Sequence, residues 1–207
     1  MIMNNIPIII AEDSPFLTTE TRQTRWAIPY SFECLNARID HLLTRNRNCI
    51  TGKRILDIGS HIGTFAYSAL ELGGEFVQGI DTEEKTVERG QELFRQTKVP
   101  ESRYDFKVAD AFDYLESLEE GSFDTVLCLG TLYYMVEPYR LLKLMQKVAK
   151  EAILLDTFTA AYAAIQGKDA PQVYQSINEE SLKLPMMLTA LTQPEKKDYR
   201  LPHSFPH

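Results

Sequence analysis

The chain has 207 residues, 44% of them apolar and 25% charged, with a formal net charge of −7. This length fits one domain that buries its own core, and the negative balance disfavours duplex nucleic acid as a partner. No stretch approaches the roughly 18 apolar residues of a membrane-spanning helix, and the short early run Ile6-Pro7-Ile8-Ile9-Ile10 has no cationic leader, so neither a membrane nor a secretory signal is expected.

The first 30 residues are rich in Thr, Pro and Glu and hold the single tryptophan, Trp26. Ser31 is placed to cap a helix in which Phe32, Leu35, Ile39, Leu42 and Leu43 recur at helical spacing. An Asn/Arg-rich stretch over 44–52 ends that helix. A regular alternation then begins: strand 54–58, helix 62–72, strand 75–80 running into Asp81, helix 83–96, and strand 104–109 running into Asp110. A short helix at 112–118 and a turn at Gly121 lead to strand 123–129, which reads as fully buried. Helix 139–149 and strand 151–156 complete the run. Strands alternating with helices predict a parallel sheet with right-handed crossovers, hence an α/β fold. The tail, 158–207, offers one helix within 178–191, a Pro/Lys-rich end and no pair of closing strands. The expected division is an N-terminal segment and helix (1–52), a ligand-binding core (53–157) and an atypical tail (158–207).

Cys34, Cys49 and Cys128 form no C-x-x-C pair and read as small buried hydrophobes of a reducing, cytoplasmic compartment. His41, His61, His203 and His207 make no spaced ligand set, so no metal is expected.

In an open parallel sheet, ligands bind beyond the carboxyl ends of the strands. The first strand ends in Asp57-Ile58-Gly59-Ser60-His61-Ile62-Gly63. Gly59 allows a sharp turn off the strand, and Gly63 allows a close backbone approach at the helix start, where free N–H groups face a ligand. The loop is neither G-x-G-x-x-G, since His61 takes the middle position, nor a phosphate-binding Walker loop. Asp81 follows Gly59 by 22 residues, where a carboxylate can accept both ribose hydroxyls. Asp110 ends the third strand, and there a carboxylate can accept from an adenine amino group while Phe112 covers the ring. Each acid taken singly could instead cap the following helix.

These residues carry a family resemblance. From about Lys53 to Thr157, through RILDIGSHIGTF, VQGIDTEE, VADAF and FDTVLCLGTLYYMVEP, the chain resembles the class I, Rossmann-like S-adenosylmethionine-dependent methyltransferases of small-molecule type. The resemblance implies a three-layer sandwich around a mostly parallel Rossmann-like sheet, with S-adenosylmethionine as cofactor and S-adenosylhomocysteine as product. By position, Asp57 would orient the loop or contact the methionine amino group, and Gly59, Ser60 and Gly63 would wrap the methionine and ribose end. Asp81, with Thr82 beside it, would take the ribose hydroxyls. Asp110, Ala111 and Phe112 would face the adenine, and Leu129 and Gly130 would line the sulfonium side. Two departures stand out. His61 replaces the usual middle glycine, where it either contacts cofactor or substrate as a catalytic group or is tolerated at a loop tip. The tail does not read as the family's closing antiparallel hairpin.

Methyl transfer from a sulfonium needs mainly alignment of the nucleophile, and the sequence shows no catalytic dyad. Tyr133, as a catalytic candidate, and Tyr134 follow the fourth strand. Trp26 and Tyr30 supply aromatic faces for a lid over the substrate side, although packing at a strand–helix junction or over the sheet accounts for these aromatics too. The expected partner is a small-molecule acceptor, and a homodimer stays open. The alternatives are a non-catalytic cofactor-binding or regulatory module and an NAD-dependent oxidoreductase, the latter disfavoured by His61.

Overall fold

The computed structural model describes residues 7–17 and 32–157. Trp26, Tyr30, the Ser31 cap and all expectations for 158–207 lie outside the described residues. Five strands, β1 (Arg54–Ile58), β2 (Phe76–Asp81), β3 (Tyr104–Val108), β4 (Phe123–Leu129) and β5 (Ala149–Asp156), form one sheet. Their order is β3-β2-β1-β4-β5, and every pairing is parallel. Helices α2 (Thr64–Glu71), α3 (Glu84–Arg95), α4 (Ala111–Ser117) and α5 (Pro138–Val148) connect successive strands. The chain winds outward from β1 to β3, then crosses back over β1 to β4. The switch point therefore falls between β1 and β4, where the loop after β1 emerges.

Alternation along the strands divides the core in two. Ile55, Val77, Leu127 and Leu129 face one helical layer with Ala66, Ala69, Leu93 and Phe94. Leu56, Ile58, Ile80, Val126 and Cys128 face the other with Leu115, Leu141, Met145 and Val148. Side chains of a strand point to opposite faces in turn, so a strand covered on both sides reads as one continuous apolar run. That is why β1 and β4 are so plain in the sequence. Helix α5 runs straight into β5 at Ala149, and β5 starts two residues earlier than the pattern predicts. A register irregularity between Phe123 and Thr125 absorbs the extra residue.

The expected helix after position 31 is α-helical over Phe32–Ile39, called α1. It continues as one π-helical turn, Asp40–Thr44, closed by Arg45 N donating to Asp40 O at 3.0 Å. Asn36, buried on α1, bonds with all its polar valences. Its Oδ1 accepts from Ile9 N (2.9 Å) and Ile10 N (3.0 Å), and its Nδ2 donates to Ile10 O and Phe32 O, each at 3.0 Å. The segment 7–17 is thereby fastened to α1. Its Phe16 is fully buried, stacks on Tyr67 with ring centroids 4.8 Å apart and meets Phe94 edge-on at 5.6 Å. Of the cysteines only Cys128 is buried, and burial pushes its thiol up to about 12. Cys49 is half-buried, and Cys34 is exposed on α1, contrary to the expectation from the sequence.

Candidate functional site

The loop after β1 is suspended from β2. Gly59 N and Ser60 N both donate to Ile80 O at 2.9 Å, and Gly63 N closes a tight turn onto Ser60 O at 2.8 Å. His61 takes a left-handed backbone, φ 51°, the only described non-glycine residue to do so. Histidine is among the few side chains that tolerate this region. Asp81 fixes the turn from below: its Oδ2 accepts from His61 N and its Oδ1 from Glu83 N, both at 3.0 Å. A carboxylate has about four acceptor positions, so Asp81 retains lone pairs for a ligand after this work.

The two loop glycines are required by packing. Gly59 has φ 69°, and a Cβ there would lie 2.3 Å from Thr131 Oγ1. Thr131, at the head of β4, donates that hydroxyl to Ile58 O at 3.1 Å. Gly63 has φ 82°, and its Cβ would strike Phe106 and Phe94 at 2.7 and 2.8 Å. The aromatic core thus requires glycine at position 63, a packing reason additional to the one expected from the sequence.

A cleft opens at the switch point. Its floor is Asp57, Gly59, Ser60 and His61, and Phe65 and Leu129 flank it. Phe16 and Leu17 of the N-terminal segment, with Leu35 and Arg38 of α1, form its roof. Two buried polar atoms in the floor, Asp57 Oδ2 and Ser60 Oγ, have no hydrogen-bond partner among the described residues. Loss of hydration, with a smaller contribution from Asp81, raises the Asp57 carboxyl to about 7. Orphaned buried acceptors of this kind cost free energy unless something donates to them, and they fit an ammonium or hydroxyl of a bound ligand.

The residues expected at the adenine end stand at the heads of β2 and β3, outside this cleft. Thr82 and Asp110 are exposed, Ala111 is buried and Phe112 is half-buried. Asp110 Oδ1 accepts from Phe112 N (2.8 Å) and Asp113 N (3.2 Å) and so caps α4. The Arg140 guanidinium lies 4.9 Å from the Phe112 ring centre and covers one of its faces.

On the other side, Gly130 N donates to Asp156 O at 2.9 Å, locking the heads of β4 and β5 together. A Cβ on Gly130 would lie 3.2 Å from Arg38 Nη2 and 3.3 Å from the Tyr133 hydroxyl. Tyr133 and Tyr134 rings pack at 4.5 Å. Burial, reinforced by Tyr134, pushes the Tyr133 phenol far above its ordinary range, so it stays protonated and can only donate or accept as a neutral hydroxyl. Sequence reasoning missed Arg38, Asp156 and the roof residues Phe16 and Leu17. One signal was present: β5 ends in an acid, as β2 does.

A family model described as a methyltransferase domain matches residues 51–197. A ubiquinone biosynthesis O-methyltransferase of Neisseria meningitidis is 30% identical over 102 residues, 49% of this chain and 41% of that protein. A provisionally assigned ribosomal RNA large-subunit methyltransferase of Methanocaldococcus jannaschii is 35% identical over 78 residues, 37% of this chain and 20% of that protein. The chain thus spans less than half the length of either relative. Among solved structures, one from Galdieria sulphuraria, provisionally assigned as a sarcosine dimethylglycine methyltransferase, aligns with a TM-score of 0.51 at 14% identity. It covers 58% of this chain and 44% of that one, a likeness of fold.

Proposed function

Since this chain belongs to the class I S-adenosylmethionine-dependent methyltransferases, we propose that it moves the methyl group of S-adenosylmethionine to a small-molecule acceptor. The observation that carries this reading is the pair of unpartnered buried acceptors, Asp57 Oδ2 and Ser60 Oγ, in the floor of the switch-point cleft. They suit the methionine ammonium. Arg38, the cation in the roof, suits the methionine carboxylate. Asp81 and Thr82 meet the ribose hydroxyls, Asp110, Ala111 and Phe112 meet the adenine, and Gly59, Ser60 and Gly63 shape the loop between them. The cofactor supplies a methyl group already activated by its sulfonium.

The chain's own work is alignment and exclusion of water. Leu129 and Gly130 form the wall beside the methyl position, and Phe16, Leu17 and Leu35 keep the cleft dry. Holding the acceptor in line is worth on the order of 7–11 kcal/mol of barrier. Tyr133 and Tyr134 form the acceptor side, Tyr133 as a neutral hydroxyl and not as a base, and Trp26 and Tyr30, outside the described residues, are assigned to the same role from the sequence alone. His61 serves the shape of the loop in preference to the chemistry. In this division 1–52 is the cover and substrate side and 53–157 the cofactor core; residues 158–207 lie outside the described residues, and the methyltransferase-domain match reaches into them, to residue 197. A formal charge of −7 favours a metabolite over the nucleic-acid acceptor of the archaeal relative, and the ubiquinone-pathway relative favours an oxygen nucleophile. Calorimetric titration with S-adenosylhomocysteine tests the core of the reading: micromolar binding is expected, none with NAD, and absence of S-adenosylhomocysteine binding sinks it. Binding without methyl transfer across a metabolite panel would favour a non-catalytic module of the same fold.

A further inference from the structure

Arg38 and Asp156 lie 118 residues apart in sequence and form an ion pair that ties the roof helix to the end of β5 beside the cleft. Arg38 Nε donates to Asp156 Oδ2 at 3.0 Å, and Arg38 Nη2 donates to the same oxygen. The guanidinium also rests against the Phe65 ring, 4.9 Å from its centre. Arg38 lines the cleft, whereas Asp156 does not. The carboxylate therefore stands behind the guanidinium and holds it facing inward. Its own position is secured, because Asp156 O accepts from Gly130 N at the head of β4.

We propose that Asp156 is the positioning residue for Arg38, fixing its guanidinium to receive the carboxylate of the methionine moiety. This rests on the cofactor reading above. A long, freely rotating arginine side chain has rotamer entropy to lose on binding an anion. Pinned between Asp156 and Phe65 before the ligand arrives, Arg38 has already lost most of it, and preorganisation appears as affinity. The charge-assisted bonds to one carboxylate oxygen set the plane of the fork, which matters for bidentate recognition. Asp156 touches no reacting atom in this scheme and acts only through Arg38.

The test compares two ligands by calorimetry. S-Adenosylhomocysteine carries the amino-acid end, and 5′-methylthioadenosine lacks it while sharing the rest. Asp156→Ala is expected to weaken S-adenosylhomocysteine about ten-fold, roughly one lost charge-assisted bond, with methylthioadenosine unchanged. Asp156→Asn keeps an oxygen in place and is expected to weaken it about three-fold. In an Arg38→Gln background the Asp156→Asn change should have no further effect, since coupled residues act as one. An unchanged ratio of the two affinities in the Asn variant, or tighter S-adenosylhomocysteine binding in either variant, overturns the proposal. If the unaltered chain binds neither ligand, the cofactor reading itself has failed, a distinct outcome.

Discussion

His61 holds a backbone conformation that a glycine would adopt without steric cost. The left-handed region costs a side-chain-bearing residue about 1–2 kcal/mol, partly returned through a less flexible unfolded chain. His61→Gly is therefore expected to raise the melting temperature by about 2–4 °C and to leave S-adenosylhomocysteine affinity unchanged. A marked loss of affinity or of methyl transfer would give the imidazole a role of its own. Asp57 makes the opposite kind of prediction. Its carboxyl titrates near 3.8 when unfolded and at about 7 in the fold. Between those values the folded chain holds more protons, so stability falls as pH rises from about 4 through 7 and levels above. Thermal melts from pH 5 to 8 should show this slope in the ligand-free chain and lose it in Asp57→Asn. A bound ammonium would favour the ionised carboxylate, so binding near pH 6.5 should release protons, read as a dependence of calorimetric heat on buffer ionisation.

At the scale of elements, the fold was largely legible because β1 and β4, covered on both faces, read as mostly apolar stretches between turn-forming residues, interrupted in β1 by Asp57 and in β4 by Asp124 and Thr125. The acids at the heads of β2 and β3 were legible by position: Asp81 is the last residue of β2, and Asp110 stands two residues past the end of β3, where it caps α4. What the sequence concealed is pairing at a distance. Nothing in the spacing of Arg38 and Asp156 says that they meet, and Gly59 and Gly63 owe their identity to Thr131, Phe94 and Phe106, whose approach only the folded sheet creates. Asn36 is a similar case: one polar residue on the inner side of α1 looks unremarkable until residues 7–17 lie beside it. Asn36→Ala would strand Ile9 N, Ile10 N and Ile10 O, at a cost of about 2–4 kcal/mol. A lower denaturant midpoint and faster proteolysis within residues 7–17 are the expected readouts, and an unchanged midpoint would deny the segment its place in the fold.

For the whole molecule, a ligand that binds only the folded state adds stability by mass action. S-Adenosylhomocysteine at one hundred times its dissociation constant should contribute about 2.7 kcal/mol, a rise of roughly 5–10 °C for a chain of this size. NAD at the same concentration should give none. Phe16 has a consequence of its own for how the molecule works. A flap that merely rests on a site swings open freely, but this roof packs a fully buried ring against both Tyr67 and Phe94, so lifting it tears out part of the interior. The amides of Ile9 and Ile10 should then exchange with solvent deuterium as slowly as those of β1, and spent cofactor should depart past the heads of β2 and β3, leaving the ceiling in place from one turnover to the next.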